Sequence, residues 1–432
     1  MDWLLKHPLT SPRVMLAAAI VMGVFALYLL IRPTWKRTLL SIIGAVVGGG
    51  IGALVFWWVV DAQNIFGVDL SQVVRLWTII GFAGLGLAVV NLFKSRWWRK
   101  VIAIIAIPAM LATSAVGINA DFGAYQTLNE VIGGVKFAQL KDTTGQRGEV
   151  VKGMVDYSTW RAPADMPKQG QIGQVPIAGA VSHFKARPAV IYLPPAALVK
   201  NPPVLPVLIA LSGQPGSPGT PFSSGALGRT LDEYAAAHNG LAPIVISPDQ
   251  LTDPAVNPMC VDSKKFGNSE TYLTRDVTDW VKANYRVSSD PRMWAVTGFS
   301  QGGTCTTQLV AKFPQLYGSG ISVQGQIGPI LNTVPNTIAE GFDGSKAAYE
   351  AAQPRAIMQA KGPYRDTMMI YGVGTTDHKY TKYAHELNRA SVAAGMDSRL
   401  MEEPTGHDWR TVTSVFEQAV PILAKRMGLD AG

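Results

Sequence analysis

Four long apolar runs fill the first part of the chain, at residues 14–31, 38–60, 76–93 and 101–118. The first two carry no charge, the third holds Asn91 as its only strongly polar residue, and the fourth has Pro108 in its middle. A helix rises about 1.5 Å per residue, so roughly 18–23 residues cross a hydrocarbon core of about 30 Å. The pattern therefore predicts four membrane-spanning helices. Gly44, Gly48 and Gly52 recur on one helix face of the second run. That face reads equally well as a close helix–helix contact or as ordinary membrane composition.

Past residue 119 the pattern becomes that of a soluble protein. Short apolar segments at 177–184, 189–193, 204–211, 244–247, 293–297, 320–323, 368–371 and 399–402 predict strands. Helical periodicity lies between or after the later ones, at 225–237, 271–285, 301–313, 347–359, 380–394 and 409–426. Such alternation predicts a mostly parallel sheet with both faces covered. The first two strands have no helix between them and predict an antiparallel edge. Three regions follow: a four-helix transmembrane domain at 1–120, a polar connector at 121–174 with a helix at 125–140, and an α/β domain at 175–432.

Charge sharpens this division. The 432 residues carry a net +8, with 16% charged and 48% hydrophobic positions. Mean hydropathy is +0.16 and the isoelectric point about 9.3. A basic chain could bind nucleic acid, but ten Lys/Arg against three acids lie in residues 1–120, leaving +1 for the rest. Those cations concentrate in two short loops, Arg32, Lys36 and Arg37, and Lys94, Arg96, Arg99 and Lys100. The loop at 61–75 sets Asp61 and Asp69 against Arg75. Lys/Arg excess marks the cytoplasmic side, so both termini and everything after residue 118 are expected outside. Lys6 and Arg13 in the N-terminal tail oppose this weakly, and the 94–100 cluster decides. Seven of eleven tryptophans lie in the same first part, several of them near the ends of the apolar runs, as in an interfacial belt. The partner implied is the bilayer, and nucleic acid is not expected.

One motif stands out. Gly298-Phe299-Ser300-Gln301-Gly302 matches G-x-S-x-G, follows a predicted strand and precedes a predicted helix. That context is what a nucleophile elbow needs: a turn too tight for side chains on its flanks, holding the serine hydroxyl out at a strand's carboxyl end. Serine needs an adjacent base. Of six histidines, His407 lies after the last predicted strand, where this fold order places the base, with His378 as rival. The acid belongs after the preceding strand, which selects Asp377 over Asp397, Glu402 and Glu403. Oxyanion donors are expected from the amide of Gln301 and from the 212–216 loop, with Gln214 ahead of Pro215, which has no N–H. No H-e-x-x-H, paired Cys-x-x-Cys or phosphate-loop motif occurs, so no metal or cofactor is expected. Asp276 and Asp279 read as solvated helix charges.

On the run Arg187-Pro188-Ala189-Val190-Ile191-Tyr192-Leu193-Pro194-Pro195, the elbow at 298–303 and Gly406-His407-Asp408-Trp409, the segment from about 175 to 429 resembles the esterase D-like branch of the α/β-hydrolases, which includes secreted mycolyltransferases. The resemblance implies an α/β-hydrolase fold and ester hydrolysis or acyl transfer by serine, acid and histidine. The four apolar runs depart from that soluble pattern and favour a membrane-anchored enzyme acting on a lipid or glycolipid ester of the cell envelope. Mycolyl-type and aminoacyl-phospholipid esters are the concrete candidates. A hydrolase-fold binding module in envelope assembly is the non-enzymatic alternative. If the domain lies outside the cytoplasm, Cys260 and Cys305 are expected to form a disulfide, the alternative being two buried thiols.

Overall fold

The computed structural model describes residues 8–63, 68, 70–125, 127–133, 136–140 and 148–431. Trp3, Lys6, His7 and Asp69 lie outside the described residues, as do Gln126, Gly134 and Val135 of the helix expected at 125–140. The chain divides into two compact units. One comprises Met1–Gly134 with Thr376–Lys379 and Thr405–Arg410; the other comprises Val135–Thr375, Tyr380–Pro404 and Thr411–Gly432.

The apolar runs of the first unit form α1 (Pro12–Leu30), α2 (Trp35–Phe56, continuing as a π-helical turn over Trp57–Ala62), α3 (Gln72–Leu92) and α4 (Trp97–Phe122). All four are long and apolar enough to cross a membrane. Ser11 and Ser71 cap α1 and α3 by accepting hydrogen bonds from the amides of Val14 and Val74. The glycine face of α2 is a close helix contact. A Cβ on Gly48 would lie 2.3 Å from the Phe82 carbonyl oxygen, and one on Gly44 would lie 2.9 Å from that of Gly86. At the far end of α1, Arg99 donates to the carbonyls of Tyr28, Leu29 and Ile31 at 2.6, 2.8 and 3.0 Å. It thereby satisfies acceptors that a helix terminus leaves open. Of the helix expected at 125–140, the described residues include a short helix at Leu128–Gly133.

The second unit is built on an eight-stranded sheet. Its strands are β1 (Gln171–Val175), β2 (Ala189–Leu193), β3 (Val207–Leu211), β4 (Ile244–Ser247), β5 (Trp294–Phe299), β6 (Ser319–Val323), β7 (Met368–Gly374) and β8 (Asp397–Glu403). The order is β8-β7-β6-β5-β3-β4-β2-β1. Pairings from β8 through β4 are parallel, and β2 runs antiparallel to both β4 and β1. The fold is thus the expected α/β-hydrolase type with a largely parallel sheet. Every residue of β2 through β7 is buried, as a sheet covered on both faces requires.

Helices α5 (Leu227–Ala237), α6 (Val277–Asn284), α7 (Gln301–Lys312), α8 (Pro354–Lys361), α9 (His378–Ala393) and α10 (Trp409–Arg426) complete the alternation. The helix expected at 347–359 is two short helices, Lys346–Ala351 and Pro354–Lys361. Pro354 cannot continue the first but suits the opening turn of the second.

The antiparallel edge exists, but its first strand is Gln171–Val175 and not 177–184. The latter segment is irregular because the buried Asp276 carboxylate accepts the amides of Val181 and Ser182 at 2.7 and 3.0 Å. Asp276 is therefore a structural acceptor and not the solvated charge its helical spacing suggested. Asp279 is exposed, 3.9 Å from Arg275.

Candidate active site

β5 ends at Phe299, with Gly298 level with Leu211 of β3 and Phe299 level with Val323 of β6. The next residue, Ser300, donates its amide to the Val323 carbonyl at 2.8 Å. Its backbone sits at φ 55°, ψ −111°. A non-glycine residue there stores about 1–3 kcal/mol of strain, which the surrounding structure must offset. The flanking glycines explain how the turn is achieved. A Cβ on Gly298 would lie 2.4 Å from the Gly302 carbonyl carbon, and one on Gly302 would lie 2.5 Å from the carbonyl oxygens of both Leu211 and Ser212. Helix α7 begins at Gln301, immediately after the serine.

The amide of Gln301 occupies the first helical position, where backbone donors have no intrahelical partner. Its side chain is buried and engaged elsewhere. Its Nε2 donates to Asn257 Oδ1 at 3.2 Å, and its Oε1 accepts from Gln250 Nε2 at 3.1 Å. Gln250 also donates to the Ser212 carbonyl at 2.7 Å. The Ser212–Gly216 loop passes beside the elbow, since a Cβ on Gly213 would lie 3.6 Å from Ser300 Cβ. Gln214 follows directly, its side chain donating to the Pro254 carbonyl at 3.3 Å. The loop's other end is held by Arg187, which donates to the Gly216 carbonyl at 3.1 Å and forms a two-pronged pair with buried Asp249 at 2.8 and 2.7 Å. Sequence reasoning missed Asp249, Gln250 and Asn257 as parts of this framework. Arg187 carried a signal only through the motif it opens.

Asp377 and His407 are brought together. Asp377 follows β7, His407 follows β8, and His407 Nδ1 donates to Asp377 Oδ2 at 3.1 Å. The pair is almost wholly buried, at 6% exposure for the imidazole and 0% for the carboxylate. Backbone bonds from Thr375 to the Glu403 carbonyl (2.8 Å) and from Thr376 to that of Thr405 (3.0 Å) run along the two chain segments leading to it. The rivals have other roles. His378 is exposed at the start of α9. Asp397 pairs with Arg399, Glu402 with His385, and Glu403 accepts from Gln418. Ser300 belongs to the second compact unit and the Asp377–His407 pair to the first.

Cys260 and Cys305 form a disulfide with a Cα–Cα distance of 5.6 Å, joining the loop that carries Asn257 to the helix behind Ser300. Among the described residues no group of three or more His, Cys, Asp or Glu side chains could hold a metal ion.

A serine elbow on a largely parallel sheet, with an acid and a histidine after the last two strands in chain order, is the arrangement of an esterase-type α/β-hydrolase. Comparison with known proteins agrees. The family model described as "Putative esterase" matches residues 185–421, and the chain belongs to that esterase family. An uncharacterized protein of Corynebacterium glutamicum is 30% identical over 435 residues, covering 98% of this chain and 97% of its own length. That likeness therefore extends across the four apolar helices as well. Among solved structures, a ferulic acid esterase covers 60% of this chain and 99% of its own at 16% identity and a TM-score of 0.50. An S-formylglutathione hydrolase from Agrobacterium tumefaciens covers 61% and 98% at 17% identity and a TM-score of 0.49. The first of these likenesses speaks for the fold alone.

Proposed function

We propose that the protein is a membrane-anchored serine esterase that cleaves a lipid or cell-envelope ester outside the cytoplasm, with Ser300, His407 and Asp377 as its triad. The observation that carries this reading is Ser300 held at a strained φ on the elbow, in a chain that also pairs Asp377 with His407. Asp377 accepts the Nδ1 proton of His407, which puts the imidazole's basic lone pair on Nε2, the atom that takes the Ser300 proton as the hydroxyl attacks the acyl carbon. The tetrahedral oxyanion is received by the amides of Gln301 and Gln214. The alcohol leaves with the proton returned by His407, and water repeats the sequence to release the acid. A sugar or lipid hydroxyl in place of water would give acyl transfer.

Three features support the location and substrate. The basic loops of the helical unit favour an outside position for everything after α4. The disulfide fits an oxidising compartment. Four apolar helices bring the enzyme to a surface made of lipid esters, among which glycolipid and aminoacyl-phospholipid esters fit a single serine site. The test is fluorophosphonate labelling of the full-length protein in detergent micelles. Labelling of wild type and loss of it in Ser300→Ala is expected; an unlabelled, folded wild type would favour a non-catalytic binding module. Lipid profiles of cells carrying Ser300→Ala then identify the ester, by what accumulates or disappears.

A further inference from the structure

Asp121 is an acid near the end of a membrane-length helix, and at 8% exposure it is nearly buried. The 26 residues of α4 rise about 39 Å, more than the ~30 Å hydrocarbon core, so its last turn stands at or beyond the lipid boundary. A buried charge there must be paired. One oxygen accepts from the hydroxyl of Ser71, the N-cap of α3. The other lies 2.9 Å from Arg410 Nη2.

Arg410 belongs to the histidine loop. The same Nη2 donates to Asp408 Oδ2 at 3.1 Å, and that oxygen accepts the Gly406 amide at 2.9 Å. These bonds bracket His407 on both sides. A separate contact comes from the backbone. Gly123 ends α4 at φ +71°, and a Cβ there would lie 3.3 Å from Trp409 Cβ and 3.5 Å from the Arg410 nitrogen. Residues Thr405–Arg410 accordingly group with the apolar helices and not with the sheet. A simple tether would need no such grip on a loop so distant in sequence.

We infer that Asp121 and Arg410 are a positioning pair through which the last apolar helix holds the loop of His407, the base of the proposed triad. This rests on the triad reading above. Arginine suits the role because Nη2 carries two N–H donors in a fixed plane, one for each carboxylate. Displacing a catalytic group by about 1 Å can cost on the order of 100-fold in rate.

The experiment uses the full-length protein in lipid nanodiscs, a short water-soluble p-nitrophenyl ester, and fluorophosphonate labelling of Ser300. Asp121→Asn and Arg410→Gln should each lower kcat about 10- to 100-fold while KM stays within about twofold, with labelling slowed in parallel. The double variant should be no slower than the worse single one, as expected of coupled residues. Melting temperature and gel-filtration volume report folding. If either single variant fails to fold, the double variant, which leaves no unpaired charge at this pair, is read in its place. A folded Asp121→Asn or double variant with wild-type kcat overturns the inference while leaving the esterase reading intact. An unlabelled wild type overturns the esterase reading and the inference with it.

Discussion

His407 Nδ1 lies 3.1 Å from Asp377 Oδ2, with both side chains buried. The carboxylate can only accept, so the imidazole donates from Nδ1 and its tautomer is fixed. Asp377→Asn keeps the size of the side chain but can present an N–H to Nδ1, favouring the wrong tautomer. The expected result is a fall in kcat of about 10⁴-fold on a short-chain ester, with the melting temperature little changed. Activity within tenfold of wild type would remove Asp377 from the proposed triad.

Gln250 links the two sides of the expected oxyanion site. Its Nε2 reaches the Ser212 carbonyl at 2.7 Å and Gln301 Oε1 at 3.1 Å. Gln250→Leu preserves bulk but leaves both acceptors short of a donor in a buried setting. It should cost about 1–3 kcal/mol of stability. It should also lower kcat on the order of tenfold with little change in KM, since a misplaced oxyanion donor weakens the transition state more than the bound ester. Denaturation midpoints and steady-state kinetics on the same preparation check both parts. An unchanged kcat would make the glutamine a packing residue only.

The long apolar helices and the parallel strands were legible because each depends on a local apolar pattern, and Ser300, Asp377 and His407 were singled out as the candidate triad because each follows a strand in a fixed order. What could not be read depends on contacts distant in sequence. Asp276 reads as a solvated helix charge until it meets the amides of Val181 and Ser182, nearly a hundred residues away. The same contact turns the apolar segment at 177–184 into irregular chain. Gln171–Val175, with glycine at its centre, lacks the β-branched density that marks a strand and gains its place by pairing with β2. Gln250 and Asp249 carry no motif, and their importance lies in what the folded chain sets beside them.

Asp290 gives a pH test in the sheet unit. Its carboxylate accepts from the Arg292 amide at 3.0 Å and pairs with Arg292 Nη2 at 2.6 Å, capping the turn that leads into β5. The hydrogen bonds from Arg292 hold its pKa below the usual carboxylate value. A lowered folded-state value means that the folded form binds the proton less readily than the unfolded form. The stabilisation is therefore complete above the ordinary carboxylate pKa and is lost as pH falls through the lowered one. Asp290→Asn keeps a capping side chain but loses the ion pair with partly exposed Arg292, so it should cost about 0.2–1 kcal/mol near neutrality, and the gap to wild type should close in acid. Melting curves from pH 7 down to pH 3 check the sign; a gap that widens in acid would contradict it.

The Cys260–Cys305 bond closes a loop whose ends are 45 residues apart. The chain-entropy relation gives about 4 kcal/mol for such a loop, within the ~2–5 kcal/mol found when native disulfides are removed. It has a local task as well. Met259 and Cys260 sit at φ 58° and 52°, an unfavourable run for two non-glycine residues. The neighbouring Asn257 accepts from Gln301 Nε2 at 3.2 Å. Cys305→Ser should therefore lower the melting temperature by several degrees, and it should lower kcat as the Asn257–Gln301 contact loosens. A membrane-permeant reductant should do the same to wild type and add nothing to the variant. Cys305→Ser with wild-type stability, or both cysteines recovered as free thiols from non-reduced peptides, would contradict the bond and weaken the case for an oxidising compartment.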